Sequence, residues 1–284
     1  MKQSSGQLAV VSTPIGNLGD LSPRAAEILQ TADILACEDT RMTRKLLTLK
    51  GLRTSAKFLP YHDFNGKSMR PRLLAAMAAG NLVALVTDAG TPLVSDPGYK
   101  LVAACYDANI QVTPLPGPSA VLASLAAAGL PSNRFLFAGF VPSNQNAAQN
   151  TLSEFSKLQI TSIWFESSRR LGQTLQLMHK IFGDRIAVVA RELTKIHETF
   201  HRESLKNLSD FYSNSKTPKG EIVILISGAD KQDNTFDTEK LISILREEMS
   251  ANSLRDAVQN VAEISGEPRR TIYSLAIDLA KGNK

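Results

Sequence analysis

The sequence predicts an α/β protein built around a mostly parallel N-terminal sheet, followed by a mixed αβ second domain and a small C-terminal helical module. Three observations carry this. Short β-rich runs alternate with helical patterns, Gly/Pro-rich loops follow several of those runs, and 284 residues at 43% hydrophobic and 21% charged form an ordinary globular composition, long enough for about two domains. The pairs are Leu8 to Thr13 then Ala25 to Leu29, Ile34 to Glu38 then Arg41 to Leu49, Leu82 to Thr87 then Leu101 to Ala108, and Val112 to Leu115 then Ala120 to Ala128. Strand, helix, strand at that spacing implies crossover connections and parallel strands, with functional loops beyond the strands' carboxyl ends.

The polar stretch Pro142 to Asn150 contains residues that discourage regular structure, which places a boundary between a domain over 1–141 and one over 142–228. After it come a strand at Ile160 to Glu166, a helix from about Arg170 to Phe182, a strand at Ile186 to Ala190, an alternating stretch through Ile196, Glu198 and Phe200, and a strand at Glu221 to Ser227. Residues 229–284 begin as a polar linker, Gly228 to Asp237, and continue as three helical patterns. Ser253 can cap a helix with Leu254, Ala257, Val258, Val261 and Ala262 on one face; Ser265-Gly266 turns, and Pro268 opens a helix carrying Ile272, Leu275, Ala276 and Leu279. This piece resembles a helix-turn-helix, with Arg269 and Arg270 in the first turn of its last helix.

Between Arg41 and Arg72 stand nine basic residues and one acid, Asp63, a net of +8 in a chain whose total is +5. The positive excess belongs to one region. It reads either as a polyanion-binding face or as a solvated helix surface that lacks acids. Cys37 and Cys105, each among apolar neighbours, suit buried reduced thiols and supply neither a disulfide scaffold nor a zinc framework. The opening apolar run is too short for a signal sequence and no stretch approaches the roughly 20 residues of a membrane span, so a cytoplasmic protein without membrane attachment is expected.

His197 to His201 matches H-E-x-x-H, a zinc motif when helical. Here Ile196, Glu198 and Phe200 alternate with period two beside the β-favouring Thr199, so a strand and no metal are expected. Neither G-x-x-x-x-G-K-[ST] nor G-x-G-x-x-G occurs. What stands out are three loops after strands: Pro14 to Pro23, Asp88 to Gly98, and Leu115 to Ala120. Along one sheet edge, their main-chain groups suit a small polar ligand that glycine lets approach closely.

Ser12-Thr-Pro-Ile-Gly-Asn-Leu-Gly-Asp-Leu, Cys37-Glu-Asp-Thr-Arg41, Thr87-Asp-Ala-Gly-Thr-Pro-Leu-Val-Ser-Asp-Pro-Gly98, Pro114-Leu-Pro-Gly-Pro-Ser119 and Arg191-Glu-Leu-Thr-Lys195 resemble the ribosomal RNA small-subunit methyltransferase I family of the tetrapyrrole-methylase superfamily. The resemblance runs from about Leu8 to Lys281. It implies a two-domain tetrapyrrole-methylase-like fold and a homodimer that uses S-adenosylmethionine to methylate the 2′-hydroxyl of a cytidine in the decoding region of 16S rRNA. It implies cofactor loops at Pro14 and Gly16, at Asp88, Thr91, Pro92 and Leu93, and at Ser119 and Ala120, with Phe165, Glu166 and Ala190 from the second domain. Where the superfamily has a short Gly-Asp-Pro loop, this chain has Asp88-Ala-Gly-Thr-Pro92. The alternatives are a tetrapyrrole or protein methyltransferase of the same superfamily and a non-catalytic RNA-binding protein.

Methyl transfer from a sulfonium is an in-line displacement in which the protein aligns the reactants, and a ribose hydroxyl gains roughly 10²- to 10⁴-fold from a base near neutral pKa. The candidates are Glu38 and Asp39 beside Arg41, then His62, then Glu192. Glu38 and Asp39 read equally as helix N-terminal charge, with Thr40 as a cap, and His62 as a partner-bonded loop histidine. Arg41, Arg44, Lys45, Arg53 and Lys57 are the candidates for rRNA phosphates, with Arg191, Arg269 and Arg270 as further ones.

Overall fold

Unbroken apolar runs such as Leu82-Val-Ala-Leu-Val86 belong to strands buried on both faces. In a computed structural model that describes residues 6–230, 238–265 and 267–282, the first five strands are β1 (Gln7–Val11), β2 (Ile34–Cys37), β3 (Lys57–Pro60), β4 (Leu82–Val86) and β5 (Gln111–Leu115). They form one sheet in the order β3-β2-β4-β1-β5, every pair parallel. Four helices cover it: α1 (Pro23–Thr31), α2 (Thr40–Leu49), α3 (Gly66–Ala78) and α4 (Tyr99–Asp107). Ala25, Leu29 and Leu47 of α1 and α2 pack with Ala9, Val11, Leu35 and Val86 on one face; Leu73, Met77, Leu101 and Cys105 of α3 and α4 pack with Leu8, Ala36, Val83 and Leu85 on the other. Helices leaving the adjacent strands β1 and β4 therefore take opposite faces, the switch point where an open α/β sheet binds ligands. Cys37 and Cys105 lie in different clusters, buried and unpaired, their thiols pushed up to about 11 by burial.

The second sheet has β6 (Phe135–Phe140), β7 (Thr161–Ser167), β8 (Ile186–Arg191), β9 (Thr199–Ser204) and β10 (Glu221–Ile226) in the order β6-β7-β10-β8-β9. Only β6 and β7 run parallel; β10 lies antiparallel between β7 and β8, and β9 antiparallel beside β8. Its alternation sorts two layers. Ile222, Ile224 and Ile226 join Trp164 and helices α6 (Gln145–Phe155), α7 (Leu171–Phe182) and α8 (Leu205–Asn214). Val223 and Leu225 face Val121, Leu125 and Ala128 of helix α5 (Ala120–Ala127) and the residue after it. One helix leaving the first sheet thus lids the second.

Two expectations need correction. Pro142 to Asn150 is not irregular: the Asn144 side chain accepts from the Ala147 N–H and opens α6, and the second sheet takes its first strand, β6, from ahead of that stretch. The basic segment also holds the edge strand β3 and the first half of α3. His197 precedes β9 in a loop, and only His201 lies on the strand, its ring 4.8 Å from that of Phe211.

The chain forms two compact units, 1–228 and 229–284. The second contains α9 (Thr238–Ala251), α10 (Leu254–Ser265) and α11 (Arg269–Gly282). Ser253 caps α10 through the Asp256 N–H, and Leu245, Val258, Val261, Ile272 and Ala276 form its core, as the apolar periodicity requires. Of the polar linker, residues 231–237 lie outside the described residues. Among those described, no helix is long and apolar enough to cross a membrane.

Glu166 is the buried charge of the second sheet, its side chain 0% exposed. It accepts from the Ser167 N–H and the Thr174 hydroxyl, each at 2.5 Å, and pairs with Arg170 at 2.6 Å. Arg170 also donates to the Val141 and Pro142 carbonyls, tying α7 to the end of β6. Removing one partner of a buried pair leaves the other's desolvation uncompensated, so Arg170→Met is expected to destabilise the protein by about 3 kcal/mol, measured by denaturant unfolding.

Candidate active site

A cleft of about 520 Å³ opens at the carboxyl edge of the first sheet, within the range of small-molecule sites. The loops after β1, β4 and β5 supply Ile15, Thr87 to Thr91, and Ser119 to Val121; the end of β2 supplies Glu38. From the second sheet, the end of β7 supplies Phe165 to Arg169 and the start of β10 supplies Gly220 to Val223. The β1 and β4 loops are clasped by paired backbone hydrogen bonds, Thr13 N–H to the Gly90 carbonyl at 2.8 Å and Gly90 N–H to that of Thr13 at 3.0 Å. Ser12, Thr91 and the Pro118 carbonyl continue the clasp to the β5 loop. Gly117 is needed there, because a Cβ would lie 2.8 Å from that of Ser12. Leu93 and Ser95 hold φ of 75° and 65°, strain that the surrounding loop maintains.

At the acid end of the cleft, the buried Thr87 Oγ1 lies 2.7 Å from both Glu38 Oε2 and Asp96 Oδ2. The Asp88 N–H donates to the same Glu38 oxygen at 3.1 Å. A hydroxyl proton serves one acceptor at a time, so Thr87 donates to Glu38 or to Asp96 and not to both at once. Burial, then the charges of Glu38 and Asp88, push the Asp96 carboxyl up to about 6 against the pull of the Thr87 hydrogen bond. Asp88 is also raised, by burial and by Glu38.

Of the three carboxylates and the histidine expected near the reaction, only Glu38 lines the cleft. Asp39, not Thr40, caps α2 by accepting from the Arg41 N–H at 2.8 Å; its ion pair with Arg41 at 2.6 Å holds it down to about 2, too weak a base for neutral pH. Glu192 is lowered by Lys195, 2.9 Å away, which also reaches Glu221. His62, at the mouth of α3, is half-buried with Nδ1 unpartnered, outside the lining.

Of the expected cofactor residues, Asp88, Thr91, Ser119, Ala120, Phe165 and Glu166 line the cleft. The Glu166 carboxylate is occupied as described, which leaves its backbone. Pro14 is represented by its neighbour Ile15, and Pro92 is buried behind the loop beside Leu93. Gly16 instead lets the β1 loop approach Leu193 to Lys195, where a side chain would collide and Asn17 N–H donates to Thr194. Ala190 is buried in mid-strand under α5. Residues not singled out in the sequence are Thr87, Asp96, Phe140, Ser167, Arg169 and Glu221.

Arg41, Arg44, Lys45, Arg53 and Lys57 are all exposed, and α2 begins two residues past Glu38. Arg44 stacks 4.3 Å over Phe58. Arg191 instead donates to the Lys219 and His197 carbonyls, pinning a loop. Arg269 and Arg270 are exposed at the start of α11, the former bonded to Gln259.

A doubly wound parallel sheet whose clasped loops share one cleft with a second, mixed sheet defines an α/β methylase of the tetrapyrrole type: the family model "Tetrapyrrole (Corrin/Porphyrin) Methylases" matches residues 7–209. Uroporphyrin-III C-methyltransferase from Thermus thermophilus, solved with S-adenosylhomocysteine, superposes with a TM-score of 0.53 at 17% identity, covering 78% of this chain and 97% of that one. Ribosomal RNA small subunit methyltransferase I of Mesorhizobium japonicum is 44% identical over 96% of this chain and 92% of its own; that of Xylella fastidiosa is 45% identical over 94% and 98%. The chain belongs to the ribosomal RNA small subunit methyltransferase I family, as the motif resemblance implied.

The raised Asp96 carboxyl has a consequence for stability. The folded protein holds this proton more tightly than an unfolded chain, about 6 against 3.8, so the Asp96 contribution to stability is lost as pH rises between those values. Asp96→Asn removes the titration. The variant should gain on wild type from pH 4 to pH 6 and keep about 1 kcal/mol above it, partial exposure reducing the full linkage effect, in urea unfolding across that range.

Proposed function

We propose that this chain transfers the methyl group of S-adenosylmethionine to the 2′-hydroxyl of a cytidine ribose in the decoding region of 16S rRNA, acting in the cytoplasm on the small ribosomal subunit. The observation that carries the reading is the cleft itself. Main-chain-rich loops, an apolar wall of Ile15, Val121, Phe140 and Phe165, and an acidic end at Glu38, Asp88 and Asp96 fit a ligand that joins a flat adenine to an ammonium and a sulfonium. When bound there, the cofactor supplies an electrophilic methyl carbon. The protein's part is alignment: the clasped loops and the second sheet fix the ligand from two sides, and such positioning is worth several kcal/mol of barrier. A homodimer belongs to the same reading and rests on the family.

The exposed bases of α2 and β3 start beside the cleft and suit phosphate contacts that hold the ribose in register.

Unmethylated small subunits incubated with labelled S-adenosylmethionine and then digested should yield 2′-O-methylcytidine; label in a supplied tetrapyrrole or in no product overturns the reading. Gly117→Val, which pushes the β5 loop off Ser12, is expected to weaken cofactor binding about tenfold, a loss of about 1.4 kcal/mol in calorimetry.

Replacing Arg44 and Lys45 together with Ala is expected to weaken RNA binding and to make its log-log salt slope shallower by about 0.7 to 0.9 per lost contact. Cofactor affinity should hold, since neither residue lines the cleft. Binding across a salt series, beside a cofactor titration, checks both.

A further inference from the structure

The loop after β4 does more than clasp its neighbours. It carries Asp96 back against the strand it leaves: Gly98, at φ of 140°, packs so closely on Leu85 that a Cβ would lie 2.7 Å from Leu85 Cδ2. That close approach, with the left-handed conformations of Leu93 and Ser95, pins Asp96 beside Thr87. The other cleft carboxyls are committed. Glu38 accepts from the Asp88 N–H, Asp88 accepts from the Asp39 N–H, Glu166 is enclosed by Ser167, Thr174 and Arg170, and Glu221 is paired with Lys195, whereas Asp96 meets the Thr87 hydroxyl.

Resting on the methyl-transfer reading above, we propose that Asp96 is the catalytic carboxylate that accepts the proton of the substrate hydroxyl, with Thr87 and Glu38 as positioning residues that hold it. The balance closes without a further reactant. The hydroxyl O–H bond breaks and its proton passes to an Asp96 oxygen; the oxygen's electron pair forms the new bond to the methyl carbon; the pair of the breaking sulfur–carbon bond returns to sulfur. A carboxylate and a sulfonium become a neutral acid and a neutral thioether. Such a change of charge favours a half-buried site, where opposite charges are poorly solvated before the step and absent after it. An Asp96 carboxyl near 6 is ionised at neutral pH yet far more basic than an ordinary carboxylate, the match that general-base catalysis requires. The charges facing it are Glu38 at the end of β2 and Asp88 at the end of β4, with Arg169 and Glu221 lining the cleft from the second sheet.

The test compares wild type, Asp96→Asn, Asp96→Glu and Thr87→Val in three measurements: methyl transfer to unmethylated small subunits from pH 5 to 8, S-adenosylmethionine affinity by calorimetry, and side-chain carboxyl titration by carbon-detected NMR in the free protein. Wild-type kcat/KM, whose pH dependence reports the free enzyme, should rise with pH through about 6. Asp96→Asn should lose about 10²-fold in kcat and the rising limb with it, a loss that exceeds any loss of cofactor affinity; Asp96→Glu should recover part of the rate. Thr87→Val deletes the hydrogen bond that lowers Asp96 and should move both the NMR titration and the limb to higher pH. A purely structural Asp96 would leave the limb in place. Ribose methylation undiminished in Asp96→Asn overturns the proposal alone; a wild type that methylates no ribose overturns the functional reading and the proposal together. Should Asp96→Asn fail to bind cofactor, Thr87→Val decides, and an unshifted Asp96 titration there overturns the proposal.

Discussion

Helix α5 buries Val121, Leu125 and Ala128 in one apolar cluster with Ile163, Val188, Val223 and Leu225 of the second sheet. The cleft depends on that contact. The residues that open α5, Ser119 to Val121, line it from the first sheet, while Val223 both packs in the cluster and lines it from the second. Its width is therefore set by side chains in dry contact a single turn away, and close-packed interiors deform little. Gly16 adds a second point of approach, between the β1 loop and Leu193 to Lys195. Together the two contacts hold the halves in register.

With the walls fixed, the acid end can carry repulsion that a flexible site would relax. Glu38 and Asp96 meet at one hydroxyl with Asp88 beside Glu38, and each is placed by backbone: a strand end, a glycine pressed on Leu85 and the Asp39 amide. Part of the stability gained in the apolar clusters offsets strain and like charge at the cleft, the usual balance between stability and activity. The three inner strands of the first sheet, β1, β2 and β4, whose residues Leu8, Leu35 and Ala84 are 0% exposed, are well suited to bear it.

Much of this is legible in the sequence, for reasons that differ by element. Strands β1, β2 and β4 are buried on both faces and read as apolar runs; β3, at the sheet edge with Lys57 exposed and Pro60 at its end, does not. Helix α6 buries only Ala148 and Leu152, too thin a stripe to outweigh its Gln and Asn content. In the cleft, the glycine and proline loops are visible because their composition is itself the signal. Asp96 is not, since Ser-Asp-Pro-Gly reads as ordinary turn chemistry and only the fold brings it back to Thr87. Glu221 is hidden for a different reason: β10 reaches the cleft through antiparallel pairing with β7, more than fifty residues earlier in the chain, and no local pattern reports that.

Charge is segregated over a short distance. The cleft is acidic, whereas the helix that starts just past Glu38 is basic and exposed, and the ion pair of Asp39 with Arg41 marks the boundary between the two. On the proposed reading the segregation sorts two ligands of opposite sign: a cationic cofactor is drawn inward, and a polyanion is held at the rim, where its phosphates meet arginine and lysine before any carboxylate. Fields from exposed charges fade over roughly 10 Å at moderate salt, so the two regions act nearly independently. A phosphate entering the cleft would face three acids. A ribose hydroxyl, neutral and small, is the part of a nucleotide such an interior can admit, which makes the acid end a filter for the hydroxyl over the phosphate as well as the place where its proton is taken.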